Sequence, residues 1–141
     1  MATIFSRIIN GDIPGAFVFK DERWVAFLDI NPVQPGHVLL VPRQEAALLS
    51  DLDGAALAES GAYLARLDRA IRQVTGCAAL SILLRDGPAA GQEVPHLHWH
   101  LIPRFNGDAA HNFAAGAYAD DAARESMRAA LAAAAGAEAP K

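Results

Sequence analysis

Gly91-Gln92-Glu93-Val94-Pro95-His96-Leu97-His98-Trp99-His100-Leu101-Ile102-Pro103-Arg104 is the stretch from which the rest of the chain can be read. His96, His98 and His100 alternate with Leu97, Trp99 and Leu101. Successive side chains of an extended strand point to opposite faces, so this spacing predicts three imidazoles on one face and apolar residues on the other. Imidazole is the side chain whose ordinary pKa lies closest to neutrality, and such a row can supply a nucleophile, proton donors or metal ligands with little tuning. Among only five histidines, an alternation this dense is not a scatter of surface residues. A divalent metal held by imidazoles at i and i+2 is the serious rival, but it needs further ligands and the single cysteine, Cys77, offers little help.

The preceding loop, Gly87-Pro88-Ala89-Ala90-Gly91-Gln92, is rich in turn-forming and small residues. Gly91 allows close approach of a ligand to the backbone, exposed N–H groups of such a loop can cradle phosphate oxygens, and the Gln92 amide can add a donor or orient a ring nitrogen. Loop and row together predict an anion site facing a nucleophile.

Working outward, Ala16 to Lys20, Trp24 to Asp29, His37 to Arg43, Ala78 to Leu84 and His96 to Arg104 read as strands separated by turn-forming residues. Ser50 with Asp53 resembles a capping box, after which Leu57, Leu64, Leu67, Ile71 and Val74 recur at helical spacing up to Gly76. That periodicity predicts an amphipathic helix with Arg66, Arg69 and Arg72 on its wet side. Asp120 and Asp121 start a C-terminal helix carrying Met127 and Leu131, and Ala132 to Lys141 is expected to fray into a disordered tail. The fold class is α+β: a five-stranded antiparallel sheet packed on a long central helix and a C-terminal helix, as a single domain over residues 1–131.

The 141 residues, 52% hydrophobic and 20% charged, suffice for one core and leave no room for a second domain. A net charge of −4 speaks against broad nucleic-acid binding, which relies on neutralising many phosphates, but not against a mononucleotide. No apolar run approaches the roughly 20 residues that span a bilayer, and no signal segment is evident. With one cysteine there is no internal disulfide, and a soluble cytoplasmic protein without a membrane partner is expected.

The stretch from Gly91 to Arg104 resembles the signature of the histidine triad (HIT) superfamily, and the chain is similar to its bacterial, Hint-like branch. Upstream, Ile4 to Pro14, Ala26 to Pro32 and Pro35 to Pro42 resemble the family's N-terminal half in the same order, so the likeness runs from about residue 3 to residue 104. It implies a hydrolase that forms a nucleotidyl-histidine and releases a nucleoside monophosphate, with an adenylyl phosphoramidate or a dinucleoside polyphosphate as substrate. The alternatives are a nucleotide-binding scaffold protein, a nucleotidyltransferase, or a metal-dependent hydrolase. By the same resemblance His98 is the nucleophile, His96 positions it through a hydrogen-bond relay, and His100, as a cation, binds phosphate near the leaving group. His37, Gly91 and Gln92 lie near the phosphates, and Ile4, Phe5, Ile8, Phe27 and Ile30 sandwich a purine. Read by itself, Asp29 is a turn-forming residue before Asn31-Pro32 or a strand-end carboxylate for ribose hydroxyls; the resemblance selects the ribose. A homodimer is implied, and no cofactor.

Three departures limit the transfer. Arg85 stands where many members carry asparagine, and Glu93 where some carry a small hydroxyl residue; both are left out of the catalytic set. Some bacterial members bind a structural zinc through Cys-x-x-Cys and a histidine, but the matching places here are Thr3, Ser6 and Glu45, so no metal is expected.

Overall fold

The computed structural model describes residues 2–109 and 111–136. A short helix, α1 (Ile4–Ile9), precedes three strands, β1 (Phe17–Lys20), β2 (Trp24–Leu28) and β3 (Val38–Pro42). The long helix α2 (Gly54–Thr75), β4 (Ala79–Leu84), β5 (Trp99–Arg104) and the C-terminal helix α3 (Asp121–Gly136) follow. The strands form one five-stranded antiparallel sheet in the order β1-β2-β3-β5-β4. This is the expected α+β architecture.

Alternation along β2 and β3 divides the interior into two layers. Trp24, Ala26, Leu28, Val38 and Leu40 face α2 and α3 and join Leu67, Ile71 and Leu131 in the main core. Val25, Phe27, Leu39 and Val41 face the other way and are covered by Phe5 of α1. The second, thinner layer leaves one end of the sheet uncovered, and there the histidines gather. Helix α1 is not apparent in the sequence pattern, since six residues are too few to display a helical period. Its start is fixed by a reciprocal cap in which the Ser6 N–H donates to Thr3 Oγ1 at 3.1 Å and the Thr3 N–H donates to Ser6 Oγ at 3.1 Å.

Four details differ from the sequence reading. The last strand begins at Trp99 and not at His96, because the Leu97 N–H donates to Ala46 O at 2.8 Å, whereas pairing with β3 starts at Trp99 opposite Leu40. Asp53 itself caps α2, accepting from the Ala55 N–H, and Ser50 lies in a separate 3-10 turn, Leu49–Asp51. Leu57 is 41% exposed, while Ala56 takes the inward position; eleven residues make about three helical turns, so Ala56 shares the face of Leu67 and Leu57 is rotated roughly 80° from it. Arg66 is buried rather than solvated: its Nε donates to Ala135 O at 2.8 Å and its Nη1 to Asp21 Oδ2 at 3.2 Å.

The expected fraying after Leu131 does not occur. Helix α3 continues to Gly136 with Ala134 and Ala135 buried, so residues 132–136 belong to the folded unit. The rest of the expected tail, 137–141, lies outside the described residues.

Candidate active site

His98 and His100 open into a cleft of about 330 Å³ on the thinly covered face of the sheet, at the small end of the range for small-molecule sites. Phe5, Asp29, His37 and Gly91 share its wall with them. Alternation explains the convergence: His37 and Leu39 lie on one side of the β3 chain, and His100 stands opposite Leu39 on β5 and opposite Leu83 on β4. The three triad rings do lie on one side, with Phe5 edge-on to His96 and His98 at 5.9 and 4.8 Å between centroids.

Hydrogen bonds assign the ring protons. His98 Nδ1 is 2.8 Å from His96 O, which can only accept, so Nδ1 carries the proton and Nε2 keeps its lone pair. Burial above all lowers the His98 pKa, outweighing the hydrogen bond to the His96 carbonyl, which raises it, so the ring is neutral at pH 7. His37 Nδ1 accepts from the Val33 N–H at 3.1 Å, which puts its proton on Nε2, 3.0 Å from His100 Nδ1. His100 Nδ1 must then accept, leaving its own proton on Nε2. Burial above all, then neighbouring positive charge, pushes His37 down to about 3 and His100 down to about 4. His100 is therefore a neutral donor near pH 7, not the cation expected from the sequence.

His96 does not reach the cleft. It is fully buried, with Nε2 2.7 Å from Pro42 O and Nδ1 2.7 Å from Thr3 Oγ1. It acts on His98 through its backbone carbonyl, not through its imidazole. Gln92 is also spent internally: Oε1 accepts from the Gly87 N–H and Nε2 donates to Ala47 O, so the side chain braces the loop and does not line the cleft. Of the five residues expected around a base, only Phe5 lines the wall. Phe27 is covered by the rings of Phe5 and Phe17, Ile8 packs against the thin core layer, and Ile4 and Ile30 are 50% and 60% exposed.

Asp29 makes the contact of its turn-forming reading and also stands on the cleft wall. Oδ1 accepts from the Asn31 N–H at 2.9 Å, the turn-forming contact, while Oδ2 lies 3.8 Å from His37 Nε2 on the cleft wall. Burial raises its pKa, and the charge of Glu93 raises it further. Arg85 and Glu93, set aside from the sequence, both line the cleft. Missed altogether were Asn31, Val33, Leu39, Leu83, Val94, Ile102, Phe113 and Ala115. The last two arrive on the segment 105–118, which returns across the site: the Gly116 N–H donates to Pro32 O and the Gly36 N–H to the Tyr118 hydroxyl. No motif marks that segment.

Among the described residues, Asp29, His37 and His100 come nearest to a metal constellation, with donor atoms within 4.8 Å of one another. The tautomers argue against it. A ligating histidine offers a lone pair to the metal and donates its other ring N–H, whereas His37 already accepts at Nδ1 and would need a second lone pair at Nε2. Thr3 and Ser6, at the places matched to zinc ligands, also do not fit that ion. Their hydroxyls lie 3.0 Å apart, and Thr3 is hydrogen-bonded to His96 Nδ1; hydroxyls are poor substitutes for thiolates around zinc.

No helix among the described residues is long and apolar enough to cross a membrane. An uncharacterized HIT-like protein of Methanocaldococcus jannaschii is 38% identical over 105 residues, covering 74% of this chain and 81% of the relative. An adenosine 5′-monophosphoramidase of Schizosaccharomyces pombe is 35% identical over 106 residues, covering 75% and 77%. The crystal structure of a Zn-bound histidine triad family protein from Mycobacterium smegmatis superposes with a TM-score of 0.84 at 33% identity, over 97% of this chain and 95% of that one. The HIT domain family matches residues 10–107, the span holding the sheet, α2 and the three alternating histidines. With that match, the fold and the close relatives in agreement, the chain belongs to the HIT domain family.

Proposed function

We propose that the protein is a nucleotide hydrolase that takes a nucleoside monophosphate, adenylyl in the first instance, onto His98 Nε2 and passes it to water. The observation that carries this reading is the 2.8 Å bond from His98 Nδ1–H to His96 O, which leaves the opposite nitrogen unprotonated on the wall of the cleft. The Nε2 lone pair forms a bond to the α-phosphorus as the bond to the leaving group breaks, and the ring, still protonated at Nδ1, becomes cationic against a carbonyl that stabilises it. Water then cleaves the phosphorus–nitrogen bond and releases the monophosphate. His100 supports the same reading by donating Nε2–H to a phosphate oxygen, with His37 holding it in that tautomer, and Asp29 Oδ2 accepts from the ribose. The name of the S. pombe relative agrees with a phosphoramidate substrate.

The test is to incubate wild type and His98→Ala with adenosine phosphoramidate and with a diadenosine polyphosphate, following monophosphate release and the mass of acid-quenched protein. Wild type should turn over and show an adenylyl adduct mapping to His98. The variant should lose both while keeping AMP affinity within about tenfold, since the change removes a reactive atom more than a binding surface. Full turnover by the variant, or AMP binding by wild type without any adduct, would overturn the assignment, the latter in favour of a binding protein. Turnover that disappears with a chelator would favour the metal-dependent alternative. A homodimer and cytoplasmic residence belong to the same proposal. For the dimer, β4 is an edge strand with Ile82 41% exposed, the kind of unpaired edge that another strand can extend.

A further inference from the structure

Arg85 leaves the end of β4 and lies across Gly91. A Cβ built on Gly91 would stand 3.2 Å from Arg85 Cδ and 3.4 Å from Nε, and Gly91 holds φ +94, a conformation that L side chains rarely adopt. The glycine thus gives the guanidinium its passage to the cleft, where it is 5.7 Å from the Phe113 ring. Among the described residues no carboxylate pairs with it. A cation with an aromatic face and no anion is a site short of its counter-charge.

The cleft is also polarised. The positive charge of Arg85 depresses the pKa of His37, His98 and His100 alike, whereas the charge felt by Asp29 is that of Glu93. Arg85, Asp29 and the imidazoles of His37, His98 and His100 all line the one cleft. A ribose held at Asp29 directs the α-phosphorus to His98 and whatever is bonded beyond it toward Arg85. An amine leaving group gains nothing from a positive charge beside it, but a phosphate chain gains a charge-assisted partner.

Resting on the function proposed above, we infer that Arg85 selects substrates whose leaving group is a phosphate chain, so that the chain hydrolyses phosphoanhydrides of the dinucleoside polyphosphate class in preference to phosphoramidates. The experiment compares wild type, Arg85→Gln and Arg85→Lys in two ways. The first is the ratio of kcat/KM for diadenosine tetraphosphate to kcat/KM for adenosine phosphoramidate. The second is the ratio of affinities for adenosine 5′-tetraphosphate and AMP, which needs no turnover. Both ratios should favour the phosphate chain in wild type and fall by roughly 10- to 100-fold in Arg85→Gln, the worth of a hydrogen bond to a charged group. Lysine keeps the charge and should restore most of the loss. Ratios unmoved within threefold by Arg85→Gln overturn the inference. So does an Arg85→Lys protein as defective as Arg85→Gln, which would show that the side chain matters only for packing over Gly91 and Phe113. Failure of the underlying function reads differently: no adduct forms on His98 with either substrate, and the affinity ratio still decides the role of Arg85.

Discussion

Mild acid should destabilise this protein through its own histidines. In the fold, His37 and His100 are held neutral with pKa values of about 3 and about 4, first by burial and then by nearby positive charge. In the unfolded chain both return to an ordinary imidazole value of about 6.5. Below that pH the unfolded chain takes up protons that the folded one refuses. The stability held by the neutral rings is complete above about pH 6.5 and is lost as the pH falls toward the folded values. At pH 5, about 1.5 units below the unfolded pKa and still above both folded ones, each ring costs about 2 kcal/mol and the pair about 4 kcal/mol. His96 and His98, whose pKa values are also lowered by burial, act in the same direction. A domain of this kind has about 5–15 kcal/mol in all, so the effect should be plain. Urea unfolding followed by the fluorescence of buried Trp24 at pH 7.5 and pH 5.0 measures it, and His37→Gln, which cannot take up the proton, should lessen the loss by about 2 kcal/mol. A wild-type stability equal within about 1 kcal/mol at the two pH values would refute the reasoning.

Two other outcomes follow from the geometry. Asp29→Ala should weaken ribonucleotides several-fold relative to their 2′-deoxy counterparts in a binding titration; equal losses for both would leave Asp29 as the turn residue that its bond to the Asn31 N–H already makes it. For assembly, sedimentation equilibrium should return the mass of two chains, and Ile82→Lys on the β4 edge should return that of one, whereas a monomeric wild type would refute the dimer.

How far the sequence reaches is best judged residue by residue. The alternating histidines, the strand pattern and the α2 periodicity lead directly to the sheet and its long helix, because period-2 and period-3.6 patterns are local consequences of which face is buried. His37, Asp29 and Gly91 were likewise placed on the cleft, with the resemblance doing most of the selecting. What pattern alone cannot supply is the fate of an individual polar group. Arg66, Arg69 and Arg72 recur at the same spacing, yet Arg66 is buried because the turn at Asp21 and the end of α3 both arrive at it, contacts 45 and 69 residues away along the chain. His96 looks equivalent to His98 in sequence, but Thr3 and Pro42 take both of its nitrogens. Phe113 and Ala115 reach the cleft on an irregular segment whose course is set by hydrogen bonds to Pro32 and Gly36, distant in sequence and without a periodic signature.

The bond from Arg66 to the Ala135 carbonyl gives the end of the chain a structural weight that its alanine-rich composition conceals. Three alanines of the last helical turn carry almost no side-chain chemistry, yet the main chain there stoppers a guanidinium that has no water to turn to. Trimming the chain at Leu131 would thus take a carbonyl acceptor from a buried guanidinium that keeps its ion pair with Asp21, as well as shortening the helix, a loss set by an unmet N–H and not only by the modest area of a few methyl groups.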